Sequence, residues 1–233
     1  MIFPSALVKG KLIKRYKRFL ADVKLNDGEV ITVHCPNTGA MTNCATPGWT
    51  VYLSLAENKK RKYAHTWELA VNDFGEWIGI NANNANKIVK EALQTSAIVE
   101  LAEYNQIRSE FKVGESRIDF FLQGDGMPDC YLEVKSMTLC ENNIGYFPDT
   151  VTQRGTKHAN ELAQLAKDGH RAVLLFCAQH SGIEKFNIAK HIDEEYALAV
   201  LEAQKSGLEV ICYGCNFSCD FIELAHSVKL LSK

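Results

Sequence analysis

The chain has 233 residues, 46% hydrophobic and 23% charged, with eight cysteines and a formal net charge of −2. This is ordinary globular composition, long enough for one large domain or two small ones with a real core. No apolar run approaches the roughly 20 residues of a membrane helix, and the start Met1-Ile2-Phe3-Pro4 runs into charged residues rather than a signal-peptide core, so a cytoplasmic protein with no membrane partner is expected.

Charge is unevenly spread. Residues 1–82 carry 11 Lys/Arg against 7 Asp/Glu, a net of +4, and the remainder carries 15 against 21, a net of −6. A basic front attracts polyanions and an acidic back suits cations.

In chain order, residues 7–19 form a β-prone run interleaved with Lys9, Lys11, Lys14, Arg15, Lys17 and Arg18. The turn Asn26-Asp27-Gly28 leads into alternation over 30–35, a hairpin pattern that Pro36-Asn37-Thr38-Gly39 breaks. After a second turn at Thr46-Pro47-Gly48, strands are expected at 50–55, 66–71 and 77–81, with a charged loop at 59–62. Five or six short strands in 80 residues suggest a small barrel. From Asn83 the pattern changes: Ala85, Ile88, Val89, Ala92 and Leu93 recur at helical spacing. Strands follow at about 106–113, 117–123 and 129–136, then a helix at about 151–168 stopped by Asp168-Gly169. A buried strand at 171–178, a helix at about 193–206 and a final buried strand at 208–213 complete the pattern. The expectation is a mixed α/β chain in two domains, an OB-like barrel over 1–82 and an α/β domain over 83–233.

The chemistry concentrates in two of those strands. Residues two apart in a strand share a face, so Glu133 and Lys135 stand together, roughly 6–7 Å apart along the chain by the strand rise, while Leu132 and Val134 pack on the other side. A short turn with Gly124-Asp125-Gly126 lets 117–123 and 129–136 pair as a hairpin, which brings Asp119 beside Glu133. Two neighbouring carboxylates repel unless a cation sits between them. Carboxylate oxygens with water suit Mg²⁺ or Mn²⁺, and such an ion can bind a phosphodiester and activate water. Lys135 could hold that water or stabilise charge developing on phosphate.

Asp119 followed by Glu133-Val134-Lys135, in a helix–strand–strand–strand–helix–strand order, resembles the core of the PD-(D/E)xK nuclease superfamily. That resemblance implies Asp119 and Glu133 as metal ligands and Lys135 as the catalytic lysine, with Glu91 as the match to a helix glutamate that some members add. Over most of its length the chain resembles the sugar fermentation stimulation protein A family. The resemblance rests on Lys14-Arg15-Tyr16-Lys17-Arg18-Phe19, His34-Cys35-Pro36-Asn37-Thr38-Gly39-Ala40-Met41, Lys60-Arg61-Lys62-Tyr63, Arg117-Ile118-Asp119-Phe120, Glu133-Val134-Lys135-Ser136, Tyr146-Phe147-Pro148-Asp149 and Arg154-Gly155 with Lys157-His158. It implies an N-terminal OB-fold, a C-terminal nuclease-like domain, DNA binding without sequence preference and a link to sugar (maltose) use.

Basic residues among aromatics on a barrel suit nucleic acid, DNA or RNA. Lys14, Arg15, Lys17 and Arg18 form one such patch and Lys60, Arg61 and Lys62 a second; the alternative is solvated edges and loops. Arg154, Lys157, His158 and Glu161 fall at helical spacing and could clamp phosphate beside the carboxylates or form a surface ion-pair face. The turn 34–41 is either structural or a ligand contact. Cys212-x2-Cys215-x3-Cys219 offers three thiols, with His226 as a fourth ligand on paper, but lacks the pair-to-pair spacing of a zinc site. Buried or incidental thiols fit better, as they do for Cys130 and Cys177.

Overall fold

The computed structural model describes residues 1–58, 60–114 and 116–231; Lys59 of the expected charged loop lies outside them. The first six strands are Val8–Tyr16 (β1), Leu20–Leu25 (β2), Val30–His34 (β3), Thr50–Leu55 (β4), His65–Val71 (β5) and Trp77–Gly79 (β6). They run in the order β3-β2-β1-β4-β5-β6, and β3 returns to β5 at His34 and Thr66, which closes five strands into an OB-like barrel. Leu12, Val23, Val33, Val51, Leu53 and Trp67 fill its interior, while Lys9 and Lys11 alternate outward.

The expected run over 7–19 ends early. Lys17 and Arg18 adopt left-handed backbone, with φ of 50° and 63°, and turn the chain into β2. That conformation is uncommon without glycine. Here the Arg15 guanidinium ties the turn by donating to the Arg18 carbonyl at 2.7 Å.

The remaining elements are Asn84–Gln94 (α1), Gln106–Val113 (β7), Ser116–Gln123 (β8), Cys130–Met137 (β9), Leu139–Glu141 (β10), Ile144–Phe147 (β11), Gln153–Lys167 (α2), Arg171–Ala178 (β12), Lys185–Ile188 (β13), Glu194–Lys205 (α3), Glu209–Phe217 (β14), Ile222–Ser227 (β15) and Lys229–Leu230 (β16). The main sheet runs β15-β14-β12-β9-β8-β7, with β9, β12 and β14 parallel and the outer pairs antiparallel. A small sheet, β10-β11-β13-β16, stands beside it. The strand expected to be last is therefore internal: β14 is longer than 208–213, and β15 pairs against it at the sheet edge.

The helices divide between the sheet faces. Ile88, Val89 and Ala92 of α1 pack with Leu132, Val134 and Leu175 on one face. Leu162 of α2 and Val200 of α3 pack with Tyr131, Leu174 and Phe176 on the other. Barrel residues Tyr52, Leu69 and Trp77 join the α1-side core, so the two parts share apolar contacts. They also share backbone pairing: Gly79 N donates to Gln179 O at 2.8 Å, Ser181 N donates to Trp77 O at 2.8 Å, and Ile78 bridges His180.

Candidate active-site cleft

Pairing of β8 with β9 runs from Leu122↔Cys130 to Phe120↔Leu132 and stops there. The next residues along are Asp119 and Glu133, at the point where the strands part. The Val134 N–H, with no strand partner on that side, donates to Asp119 Oδ2 at 2.8 Å. Asp119 Oδ1 accepts from Asn86 Nδ2 of α1 at 2.7 Å. Burial, and then the neighbouring Glu133 charge, push the Asp119 carboxyl above the usual carboxylate range, although both hydrogen bonds oppose the shift.

Glu133 lies on the α2 side of the sheet, only 2% exposed, where an unpaired charge would be costly. Burial raises its pKa, but hydrogen bonding from His158 and the charge of Lys135 outweigh burial and hold it below the ordinary value. Lys135 Nζ donates to Glu133 Oε1 at 2.6 Å, and His158 Nδ1 contacts the same oxygen. Arg154 Nε donates to His158 Nε2 at 3.4 Å, which is consistent with the tautomer that carries its proton on Nδ1 toward Glu133. Glu133 Oε2 is buried and has no hydrogen-bond partner.

Asp119, Glu133 and Lys135 line a cleft of about 620 Å³. Asn83 and Asn86 of the α1 region, Tyr146 and Phe147 of β11, and Thr152, Arg154 and Gly155 form its walls. Asn37, Thr38 and Gly39 line it from the barrel. That loop is pinned from both sides. Arg15 Nη2 donates to Asn37 O and Gly39 O, each at 2.9 Å, and Met41 N donates to Asp149 Oδ2 at 3.1 Å. A Cβ at position 39 would stand 2.5 Å from Asp149 Oδ2, so only glycine lets the loop approach this closely.

The helix supplies Asn86 to the cleft, not Glu91: Glu91 is half-exposed and pairs with the Met1 amino group. Asn86, Asp149 and the loop 37–39 were not singled out as cleft groups from sequence; the one signal for any of them is that turn's mix of polar residues.

The other sequence-selected residues are placed as follows. Lys14 lies 3.5 Å from Asp22 and over the Tyr16 ring. Arg15 is absorbed in the carbonyl clamp, while Lys17 and Arg18 are exposed at the turn. Lys60, Arg61 and Lys62 are exposed, and Arg61 reaches His34 and Thr66 at 3.4 Å each. Lys157 pairs with Glu161 at 3.6 Å and does not line the cleft, so the helical quartet divides into Arg154–His158 on the carboxylate side and Lys157–Glu161 away from it, where Glu161 also accepts from Ser116 Oγ of β8.

Cys212 and Cys215 are buried in the cores on opposite faces of the sheet, and Cys219 is exposed, so these thiols do not converge on one ion. Cys215 Sγ instead lies 3.7 Å from Cys177 Sγ. Burial pushes the Cys130 thiol up to about 12. Among the described residues, no helix is long and apolar enough to cross a membrane.

An OB-like barrel paired to a mixed-sheet domain, with two carboxylates and a lysine where two strands part, defines a two-part protein with a carboxylate-bearing cleft between its parts. The comparisons agree on the family. Residues 83–221 match the family described as the sugar fermentation stimulation protein RE domain, and residues 13–80 match the SfsA N-terminal OB domain. A sugar fermentation stimulation protein homolog of Pseudoalteromonas atlantica is 56% identical over 233 residues, covering 99% of this chain and all of that protein. The chain belongs to the sugar fermentation stimulation protein family. The structure of Pyrococcus furiosus SfsA, solved in complex with Ca²⁺, superposes with a TM-score of 0.89 at 24% identity, covering 100% of this chain and 98% of that one.

Proposed function

We propose that this protein is a divalent-cation-dependent phosphodiesterase acting on nucleic acid, with residues 1–82 binding the strand and residues 83–233 carrying the cleft. The observation that carries the reading is the pair Asp119 and Glu133 with the buried, unpartnered Glu133 Oε2 between strand and cleft. An orphaned carboxylate oxygen at such depth is costly unless something binds it. Both Asp119 oxygens keep free lone pairs after their single hydrogen bonds. The donor set fits a hard cation of the Mg²⁺ or Mn²⁺ type, whose remaining positions would be filled by water and substrate oxygen; the Ca²⁺ bound by the Pyrococcus relative supports the same preference. Asp119 and Glu133 would hold the ion, which when bound supplies charge neutralisation at phosphate and an activated water.

The chain's own groups then have distinct tasks. Asn86 fixes the Asp119 carboxylate. His158, itself held by Arg154, fixes Glu133. Lys135 presents an ammonium beside the reacting phosphate, where it stabilises developing negative charge. Arg154 faces the cleft as a phosphate contact, and Lys17, Arg18, Lys60 and Lys62 extend a basic path across the barrel, with Lys14 and Arg61 flanking it. The test is cleavage of labelled DNA and RNA with Mg²⁺, Mn²⁺ or EDTA by wild type and Asp119→Ala. Metal-dependent products from wild type alone support the reading, and equal cleavage by the variant overturns it.

One observation favours a second reading, a non-catalytic, non-specific DNA-binding regulator acting in the cytoplasm and linked to sugar metabolism. The Lys135 ammonium already pairs with Glu133 Oε1, which His158 also contacts, without a metal ion. On that reading, binding weakens steeply with salt and no metal yields products.

A further inference from the structure

We propose that the cleft admits a single-stranded polynucleotide and excludes an intact duplex; the proposal rests on the reading of the cleft as a nucleic-acid site. Three observations carry it.

The first is the barrel wall. Residues 37–39 line the same cleft as the carboxylates, and that cleft holds about 620 Å³. That is the scale of a small-molecule pocket, enough for a threaded nucleotide or two but not for a paired double helix. The second is that this wall is pinned. Arg15 clamps its carbonyls, Asp149 holds Met41 N, and Cys44 Sγ sits 3.4 Å from the Thr138 carbonyl at the loop's far end. The barrel that carries the loop is itself paired to the α/β domain through Gly79–Gln179 and Trp77–Ser181. Opening the cleft to the width of a duplex would break this pairing together with the loop contacts.

The third is the chemistry of the walls. Tyr146 and Arg154 both line the cleft, whereas the neighbouring Phe147 ring packs against Phe176 and Tyr196 in the core. An aromatic side chain offers a base a stacking surface and a guanidinium offers phosphate a charge-assisted contact. This is how unpaired strands are held, because in a duplex the base faces are already stacked. The basic turn at Lys17 and Arg18 and the loop at 60–62 both meet the His34 end of β3, the first through the Leu20–His34 pairing and the second through Arg61, and Arg15 ties that turn to residues 37 and 39 of the cleft wall, so a strand leaving the cleft on this side passes over positive charge on the barrel.

The experiment compares one sequence in three forms: single-stranded DNA, single-stranded RNA, and a DNA duplex closed at both ends by hairpin loops. Cleavage is followed in Mn²⁺, and binding by fluorescence anisotropy in Ca²⁺ with wild type and Arg154→Ala. The proposal expects cleavage of a single strand at least about tenfold faster than of the paired region of the capped duplex, and Arg154→Ala to weaken single-strand binding about tenfold, the worth of one charge-assisted hydrogen bond, with duplex binding unchanged. Cutting of the paired region at the single-strand rate would overturn this proposal while leaving the phosphodiesterase standing. If no form is cut, the phosphodiesterase reading fails, and binding still decides: loss confined to the single strand supports the cleft as its seat, whereas equal loss on both forms, or on neither, overturns it. DNA against RNA is read from the two single strands.

Discussion

Asn86 Nδ2 donates to Asp119 Oδ1 at 2.7 Å, a bond that runs from the first helix of the α/β domain to the strand carrying the first carboxylate of the cleft. Burial already pushes Asp119 toward its protonated form, and this bond favours the charged form that a cation requires. Asn86→Ala should therefore lower Mn²⁺ affinity by roughly 10–100-fold, the usual cost of losing a group that orients a metal ligand. Isothermal titration would measure it, and an unchanged affinity would remove Asn86 from the site.

Glu133 and Lys135 form a pair whose side chains are 3% and 13% exposed. Removing either charge strands the other, at a cost of about 3–5 kcal/mol. Glu133→Gln and Lys135→Met should each lower the unfolding free energy in urea with EDTA present. The double variant should lose clearly less than the sum; strict additivity would show that the two charges do not depend on each other.

Glu68 of β5 is buried and accepts from Ser54 Oγ at 2.7 Å, Asn81 Nδ2 at 2.9 Å and Asn84 Nδ2 at 2.8 Å. Its carboxylate also faces the N-terminus of α1, where negative charge is favoured and where Asn83 makes no side-chain cap. Glu68→Ala leaves three donors without an acceptor and should cost about 3 kcal/mol or more. Glu68→Gln, which keeps one acceptor oxygen, should cost less. Equal losses would mean that the volume of the side chain matters and its acceptors do not.

His180 sits in the seam between the two parts, 5% exposed, with Nδ1 accepting from Gly182 N at 3.1 Å. Burial holds its imidazole below the ordinary value, opposed by the charge of Glu76. A depressed folded-state value means that its contribution to stability is present above the unfolded histidine value of about 6.5 and is lost as pH falls through the folded value. Wild-type stability should therefore decline as pH drops from about 6.5 toward the folded value. His180→Asn keeps an acceptor without the titration, and its curve should be flatter over the same interval. Identical slopes would place the proton uptake elsewhere.

Much of this was legible in the chain. Residues 172–178 are a continuous apolar run, the pattern of a strand buried on both faces, and β12 spans Arg171–Ala178. Asp119, Glu133 and Lys135 stood out because charges interrupt apolar strands, and the hairpin arithmetic brought the two carboxylates to the same fork. Asn86 was hidden because on an amphipathic helix it reads as one more polar residue on the outer face. The turn at Lys17 and Arg18 was hidden because neither residue signals a turn; the conformation is held by Arg15 from outside the turn. Ile222–Ser227 does alternate buried and exposed residues, as an edge strand does, but it follows a polar stretch that reads as the end of the sheet. The barrel wall of the cleft comes from residues about 100 positions away in sequence, and no local pattern carries that information.

The backbone pairing of Trp77 and Gly79 with residues 179 and 181 has a consequence for exchange between relatives. A chimera that joins this barrel to another member's α/β domain inherits one half of a ladder whose other half was shaped around a different partner. Such hybrids should be productive only when residues 76–82 and 179–182 travel together, so the natural cassette for recombination is this split pair of segments, and the linear boundary near residue 82 is not a clean place to cut.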